Sequence, residues 1–151
     1  MPVEQQLLDD LKRAMKARDE LTTGVLRMLK SQLMNEKTKK GGRKELTEET
    51  VVQVFATYAK QLRDAKEQFE NGGRTDLADQ HARELEIVER YLPAQADEDE
   101  IREVIGQVVE DLAAEGPEHM GRVMGAVMLE LQGRVDGKVV SAMVRERLQQ
   151  G

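Results

Sequence analysis

The stretch from residue 119 to residue 138 restricts the fold of this chain more than any other part of the sequence. Its large apolar side chains recur at steps of three and four residues, which places them along one side of a helix. They are Met120, Val123, Met124, Val127, Met128 and Leu131. A half-buried β-strand would need apolar residues at every second position, which this spacing does not provide. The stretch therefore predicts a helix that packs its apolar side against neighbouring elements.

Four glycines occur in the same stretch, at two kinds of position. Gly121 and Gly125 lie one turn apart inside the predicted helix. Because each costs about 1 kcal/mol there relative to alanine, we expect another backbone to pack closely against them. Gly133 and Gly137 bracket a segment without apolar periodicity, which predicts a turn, and Asp136 in this turn is placed to cap a following helix. The apolar side of that helix would consist of Val139, Val140, Met143, Val144 and Leu148.

Apolar residues also recur at helical spacing through the rest of the chain. Aromatic residues, which strands favour, make up only 3% of the whole sequence. No run of alternating β-branched and aromatic residues predicts a strand. The helix starts that we predict from capping residues and apolar spacing are Val3, Asp19, Thr47, Thr75 and Asp97. A Tyr-Leu-Pro sequence at residues 91–93 predicts a boundary. We therefore predict an all-α fold, with an N-terminal helical bundle or hairpin in residues 1–93 and a small three-helix domain in residues 94–151.

Charge is distributed unevenly along the chain, whose formal net charge is -6. Residues 1–44 contain 11 Lys and Arg against 6 Asp and Glu, and residues 45–118 contain 7 against 20. Residues 119–151 contain 5 against 3. A basic beginning and a mildly basic end therefore flank an acidic middle, an asymmetry that permits a local anion-binding surface on an acidic protein.

Composition and motifs exclude several function classes. The absence of cysteine rules out disulfides, thiolate catalysis and cysteine metal sites. No apolar run approaches the roughly 20 residues that span a bilayer, and the first 21 residues lack a signal-peptide core. We therefore expect no membrane contact and a cytoplasmic location. The methionines at 120, 124 and 128 favour core packing over a peptide-binding groove.

Reactive side chains are too few for a recognisable catalytic centre. The histidines are His81 and His119, and the serines are Ser31 and Ser141, so a Ser-His-acid arrangement has very few pairs to use. The four acids at 97–100 are better explained as a capping box in a first helical turn than as metal ligands. We predict no catalytic residue, no metal and no cofactor.

The glycine-rich stretch resembles the C-terminal signature of the GatB/YqeY family. The resemblance rests on Met-Gly-Arg-Val-Met-Gly at 120–125, Gly-Arg at 133–134 and Asp-Gly-Lys at 136–138. It extends upstream to Arg-Met-Leu-Lys at 27–30 and to Tyr-Leu-Pro at 91–93, and so covers essentially the whole chain.

Two positions differ from the family pattern, which has an acidic residue before Met-Gly and a small residue before Asp-Gly. Here these positions are His119 and Val135. The family includes the tail domain of the B subunit of the amidotransferase that converts misacylated Glu-tRNA(Gln) and Asp-tRNA(Asn). The resemblance implies tRNA binding, or association with aminoacylation or amidotransferase proteins, without transamidation by this chain itself. An independent amide-transfer enzyme would need a glutaminase or ATP site that the sequence does not contain. A label derived from the family would read carbon-nitrogen ligase with glutamine as amido-N-donor.

Our leading hypothesis is a helical module that contacts structured RNA, most plausibly tRNA, through its phosphates and shape. The scarcity of aromatic side chains disfavours base stacking, and DNA is not expected. The predicted phosphate contacts are Arg122, Arg134, Lys138 and Arg145, with a second patch at Lys39, Lys40 and Arg43. The alternative for that second patch is a solvated hairpin tip whose cations complement the helix dipole. The alternative for the whole protein is an adaptor that docks on a synthetase or amidotransferase through its long N-terminal helices.

Overall fold

The fold is all-α in a computed structural model that describes residues 2–150, and no strand occurs in that range. The seven α-helices found there are α1 Val3–Lys16, α2 Glu20–Thr38, α3 Glu48–Asn71, α4 Thr75–Glu89, α5 Glu98–Asp111, α6 Met120–Glu130 and α7 Gly137–Gln149. A short 3-10 helix, Pro117–His119, precedes α6. The predicted all-α fold class is confirmed. The chain divides into two compact units, residues 1–93 and residues 94–151.

Side-chain caps set several helix starts where the sequence predicts them. The Asp19 carboxylate accepts a hydrogen bond from the Thr22 backbone N–H at 3.1 Å, and the Thr47 hydroxyl accepts one from the Thr50 backbone N–H at 3.1 Å. Hydrogen bonds from the side chain and backbone of Thr22 hold the pKa of Asp19 below its usual value. Each cap satisfies one backbone donor that the first helical turn leaves without a partner.

The N-terminal unit contains α1 to α4, which pack around an aliphatic core with two aromatic rings. Phe55 and Tyr91 meet edge to face, with ring centroids 6.1 Å apart and an interplanar angle of 77°. The Tyr91 hydroxyl donates to the Asp10 carboxylate at 2.5 Å, which connects the segment just after α4 to α1. Burial and the acceptor Asp10 together raise the pKa of Tyr91 well above its usual value. The buried residues of this core are Leu7, Leu11, Val25, Leu26, Leu29, Leu33, Val51, Phe55, Ala59, Leu62, Ile87, Val88 and Tyr91.

The C-terminal unit contains α5 to α7, and its core is built from aliphatic side chains of all three helices. The buried members are Ile101, Ile105, Val108, Val109, Val123, Val127, Leu131, Val140, Val144 and Leu148. The predicted apolar side of α6 is confirmed, with Met120, Met124 and Met128 at its edges and half-buried. Each fully buried valine or leucine contributes about 1.5–3 kcal/mol of transfer free energy. This core fixes which faces of α6 and α7 remain outside.

Candidate nucleic-acid interface

The segment between α6 and α7 is a tight turn held by hydrogen bonds to its backbone. Gly133 has a φ of +78°, in the left-handed region that favours glycine. The Arg134 N–H donates to the Leu131 carbonyl at 2.9 Å, and the Asp136 carboxylate accepts from the Lys138 N–H at 2.9 Å. The predicted turn at Gly133 and the predicted helix cap at Asp136 are therefore confirmed.

Arg134 joins this turn to the segment that leads into α5. Its Nε–H donates to the Ala94 carbonyl at 2.8 Å, and its Nη2 lies 2.7 Å from the Glu100 carboxylate. The Arg134 carbonyl in turn accepts from the Ala96 N–H at 2.9 Å. Hydrogen bonding to Glu100 raises the pKa of Arg134 above its usual value. Arg134 therefore connects the α6–α7 turn to α5 and to the segment before it, and only 28% of its side chain is exposed. We call these bonds the Arg134 clamp.

This clamp is a role that sequence reasoning missed. The sequence predicts a reciprocal capping box between Asp97 and Glu100. Asp97 does cap α5, since its carboxylate accepts from the Glu100 N–H at 2.8 Å. The Glu100 side chain, however, bonds Arg134. A phosphate contact by Arg134 remains a prediction, and it would compete with partners that the guanidinium already has.

The other three cations predicted in this unit are exposed. Lys138 and Arg145 belong to one row on α7, in which Lys138, Ala142, Arg145 and Gln149 follow at steps of four, three and four residues. All four are exposed, so this row forms the outer face of α7. Arg122 is exposed on α6. Arg122 and Arg145 have no ion pair within residues 2–150.

The predicted close packing at Gly121 and Gly125 is wrong. Both glycines are exposed, and a Cβ built on either one would meet no atom of the described residues within 4 Å. The reason is geometric: the core side of α6 is defined by Val123 and Val127, and the two glycines lie on the opposite side. Together with Arg122 they form the outer face of α6.

Gly137 also differs from the expected turn glycine. It is the first residue of α7, and its φ is not in the left-handed region. A Cβ there would lie 3.7 Å from the Met128 Cε, an ordinary van der Waals distance. The turn geometry therefore depends on Gly133, whereas Gly137 begins a helix that Asp136 caps.

The second predicted patch lies in the loop after α2, in the N-terminal unit. Lys39, Lys40 and Arg43 are all exposed, and the Lys39 Nζ lies 2.6 Å from the Glu36 carboxylate. Gly41 has a φ of +82°, and a Cβ on Gly42 would collide with the Glu36 carbonyl. These two glycines let the loop reverse tightly beside the end of α2. Lys39 therefore has an acidic neighbour, and phosphate binding by the three cations stays a prediction.

The histidines have structural partners. The His81 Nδ1 lies 3.0 Å from the Leu77 carbonyl, and the ring packs on Phe69 at a centroid distance of 5.2 Å. The His119 Nδ1 accepts from the Glu115 N–H at 2.7 Å. In the part of the chain that the structure covers, no group of three or more His, Asp or Glu side chains could hold a metal ion.

Comparison with known proteins gives a family match over almost the whole chain. The Yqey-like protein family matches residues 4–148. Altered inheritance of mitochondria protein 41, mitochondrial, from Pyrenophora tritici-repentis is 28% identical over 145 residues, which cover 93% of this chain and 78% of that protein. The protein of the same name from Kluyveromyces lactis is 34% identical over 118 residues, 74% of this chain and 60% of that protein.

A second group of relatives is matched over a shorter range. The E subunit of glutamyl-tRNA(Gln) amidotransferase from Thermococcus gammatolerans is 46% identical over 50 residues. These residues cover 33% of this chain and only 8% of that protein. No helix within residues 2–150 is both long enough and apolar enough to cross a bilayer. The cytoplasmic location remains a prediction, because several relatives carry a mitochondrial name.

Proposed function

This chain belongs to the YqeY-like family, and on that premise we propose that its C-terminal unit binds the phosphate backbone of structured RNA, with tRNA as the first candidate. The observation that carries the proposal is the exposure of three cations in this unit. Arg122 lies on the outer face of α6, and Lys138 and Arg145 lie on the outer face of α7. Arg122 and Arg145 have no ion pair among the described residues.

Spacing along α7 suits contacts with more than one phosphate. Lys138 and Arg145 are seven residues apart in the same row, which corresponds to about 10 Å along the helix axis. Ala142 lies between them and leaves room for a ligand to approach the helix. Arginine and lysine side chains on a rigid helix form contacts that position an RNA duplex without reading its sequence.

The open glycines on α6 support the same proposal. Since a Cβ at Gly121 or Gly125 would meet nothing within 4 Å, no side chain covers the helix backbone beside Arg122, and a ligand can reach it. Gly125 lies in the second turn of α6, where a backbone N–H bonds to the carbonyl one turn earlier. Gly125 therefore lets a ligand come close to the helix without donating a hydrogen bond to it. A sugar-phosphate chain can approach such a surface closely while Arg122 binds a phosphate.

The tRNA candidate comes from the relatives. One group is named as an amidotransferase subunit for glutamyl-tRNA(Gln), and this chain matches 8% of such a protein from Thermococcus gammatolerans. The role proposed for this chain is RNA binding alone, without amide transfer or carbon-nitrogen ligase chemistry. Proteins that act in aminoacylation or amide transfer are candidate partners on the same grounds.

Lys40 and Arg43 in the loop after α2 are proposed as additional phosphate contacts.

The test is binding of a fluorescent tRNA transcript at low salt, measured by anisotropy. The double variant Arg122→Glu, Arg145→Glu should bind at least about tenfold more weakly than the wild type, because it replaces two phosphate contacts with repulsion. The matched control is Lys60→Glu, Arg83→Glu, which makes the same charge change at two exposed residues of the N-terminal unit. The control should lose much less affinity. Equal losses in both variants would show a general charge effect and would overturn the assigned site.

A further inference from the structure

The N-terminal unit exposes methionines on the side of α1 and α2 that faces away from its core. Met15 is 49% exposed, Met28 is 42% exposed and Met34 is 51% exposed. They are three of the five large apolar side chains that are exposed within residues 2–150. Exposure of single apolar residues is ordinary, but several large apolar side chains exposed on two adjacent helices are typical of an interaction surface.

Two of these methionines lie in neighbouring rows on α2. Gly24, Met28, Ser31 and Asn35 follow at steps of four, three and four residues, and all are exposed. Arg27 and Met34 form a neighbouring row two turns long. At the start of this face, an open groove is lined by Met15, Arg18, Glu20, Thr23, Gly24 and Arg27. A Cβ at Gly24 would meet nothing within 4 Å, so the groove reaches the helix surface itself. We call this surface the α2 outer face.

Arg18 at the edge of this groove adopts an unfavourable backbone conformation. Its φ is +56°, in the left-handed region where a residue that closes a helix is usually glycine or asparagine. The Asp19 N–H donates to the Ala14 carbonyl at 3.0 Å, which is the bond that ends α1 around this residue. Glycine would suit the backbone better than arginine. The arginine side chain is exposed in the groove, where it adds a cation beside Arg27.

We propose that the α2 outer face docks an acidic amphipathic helix of a partner protein. Charge complementarity selects this occupant, because the groove is lined by the two cations Arg18 and Arg27 and by one acid, Glu20. Arg18 and Arg27 would pair with its carboxylates. Thioether side chains are flexible and polarizable, and they suit the apolar side of a helix laid into a groove. This inference concerns another surface than the proposed RNA contact and stands independently of it.

An RNA duplex suits this face less well than a helix does. The phosphates and riboses of RNA are polar, so contact with three exposed methionine side chains would stabilise a complex with RNA little. The groove and its flanking methionines also include no aromatic ring on which a base could stack. A second copy of this chain is a further candidate occupant, since residues 45–118 are strongly acidic. Both are outcomes that the experiment separates from the proposal.

The probe is a synthetic helical peptide as long as α2, with leucine at steps of three and four residues and glutamate on its other positions. A control peptide carries lysine at every glutamate position. Binding is measured by anisotropy, and the site is mapped with ¹³C-labelled methionine methyl groups in the full chain. We expect the acidic peptide to bind, the basic peptide not to bind, and the methyl signals of Met15, Met28 and Met34 to shift.

Two variants separate docking from folding. Arg18→Gly should raise the thermal stability, because glycine tolerates the positive φ at this position. The same variant should bind the acidic peptide about tenfold more weakly, because it lacks a cation. The double variant Met28→Gln, Met34→Gln should also bind the peptide more weakly. The matched control Leu129→Gln changes another exposed apolar residue, 76% exposed on α6, and should leave the affinity unchanged.

Four results would overturn the proposal. They are failure of the acidic peptide to bind the wild type, equal binding of the basic peptide, methyl shifts confined to other methionines, and full affinity in Arg18→Gly. A dimer that already covers the three methyl groups without peptide would assign the face to a second copy. Shifts of the same methyl groups on addition of a tRNA transcript, with none from the peptide, would assign it to RNA.

Discussion

The turn between α6 and α7 and the outer face of α7 contain cations in opposite situations. Arg134 in the turn is half-buried and bonded to Glu100 and to the Ala94 carbonyl. Arg145 on the outer face is exposed, without an ion pair in residues 2–150. The sequence predicts a phosphate contact for both arginines. Whether an arginine is available to a ligand therefore depends on the partners that the fold already gives it.

The largest effect on folding is expected from Arg134→Glu. It places two carboxylates together at the clamp and removes the donor to Ala94, so the melting temperature should fall by several degrees. Arg122→Glu makes the same charge change on an exposed surface and should leave the melting temperature nearly unchanged. Thermal unfolding followed by circular dichroism measures both.

A charge swap sharpens this prediction. Adding Glu100→Arg to Arg134→Glu should restore part of the lost stability, because the ion pair is remade in reverse. Recovery should be incomplete, since an arginine in the first turn of α5 is disfavoured by the helix dipole. If Arg134→Glu unfolded at the wild-type temperature, the clamp would have no energetic role and the contrast with Arg145 would disappear.

Gly133→Ala is expected to cost about 1–2 kcal/mol of unfolding free energy, because its φ of +78° disfavours any residue with a Cβ. The matched control is Gly137→Ala, four residues away, where a Cβ would lie at an ordinary 3.7 Å from the Met128 methyl group. Urea unfolding compares the two variants. Equal costs at both positions would contradict the assignment of the turn to Gly133 alone.

Asp136→Ala is expected to cost about 1 kcal/mol, since it removes the side-chain acceptor that caps α7. Asp136→Ser retains an acceptor and should recover most of the loss. The measurement is again urea unfolding. A loss of the same size in the serine variant would mean that Asp136 acts through its charge and not through the cap.

The smallest effect is expected from Gly125→Ala, and its sign is opposite. Since a Cβ there meets no atom within 4 Å, alanine should stabilise α6 by up to about 1 kcal/mol. If RNA approaches this face closely, the same variant should bind tRNA a few-fold more weakly. A destabilised Gly125→Ala protein would show instead that something in the chain packs on the glycine.

Local sequence signals predict the helices well. Thr47, Asp97 and Asp136 all cap helices as expected, because a cap depends on a side chain and a backbone N–H only two or three residues away. The core side of α6 follows from apolar spacing in the same way. The partner of Arg134 could not be read from the sequence, because Glu100 is 34 residues distant and the two meet only when α5 packs near the turn.

The error at Gly121 and Gly125 has a similar origin. Their spacing correctly places both on one side of α6, but spacing does not say whether that side meets another helix or solvent. The positions of Val123 and Val127 could have given the answer, since they put the core on the opposite side. The RNA hypothesis comes from the family resemblance. The structure adds that Arg122, Lys138 and Arg145 are exposed, whereas Arg134 is half-buried and already bonded.

The salt dependence of tRNA binding reports how many phosphates the protein contacts. For the wild type, the logarithm of the association constant should fall steeply and linearly with the logarithm of salt concentration. In Arg122→Gln with Arg145→Gln, the slope should be smaller by about 2, because each arginine that no longer binds a phosphate reduces it by about one. An identical slope in the two proteins would show that neither arginine binds phosphate and would overturn the proposed RNA contact.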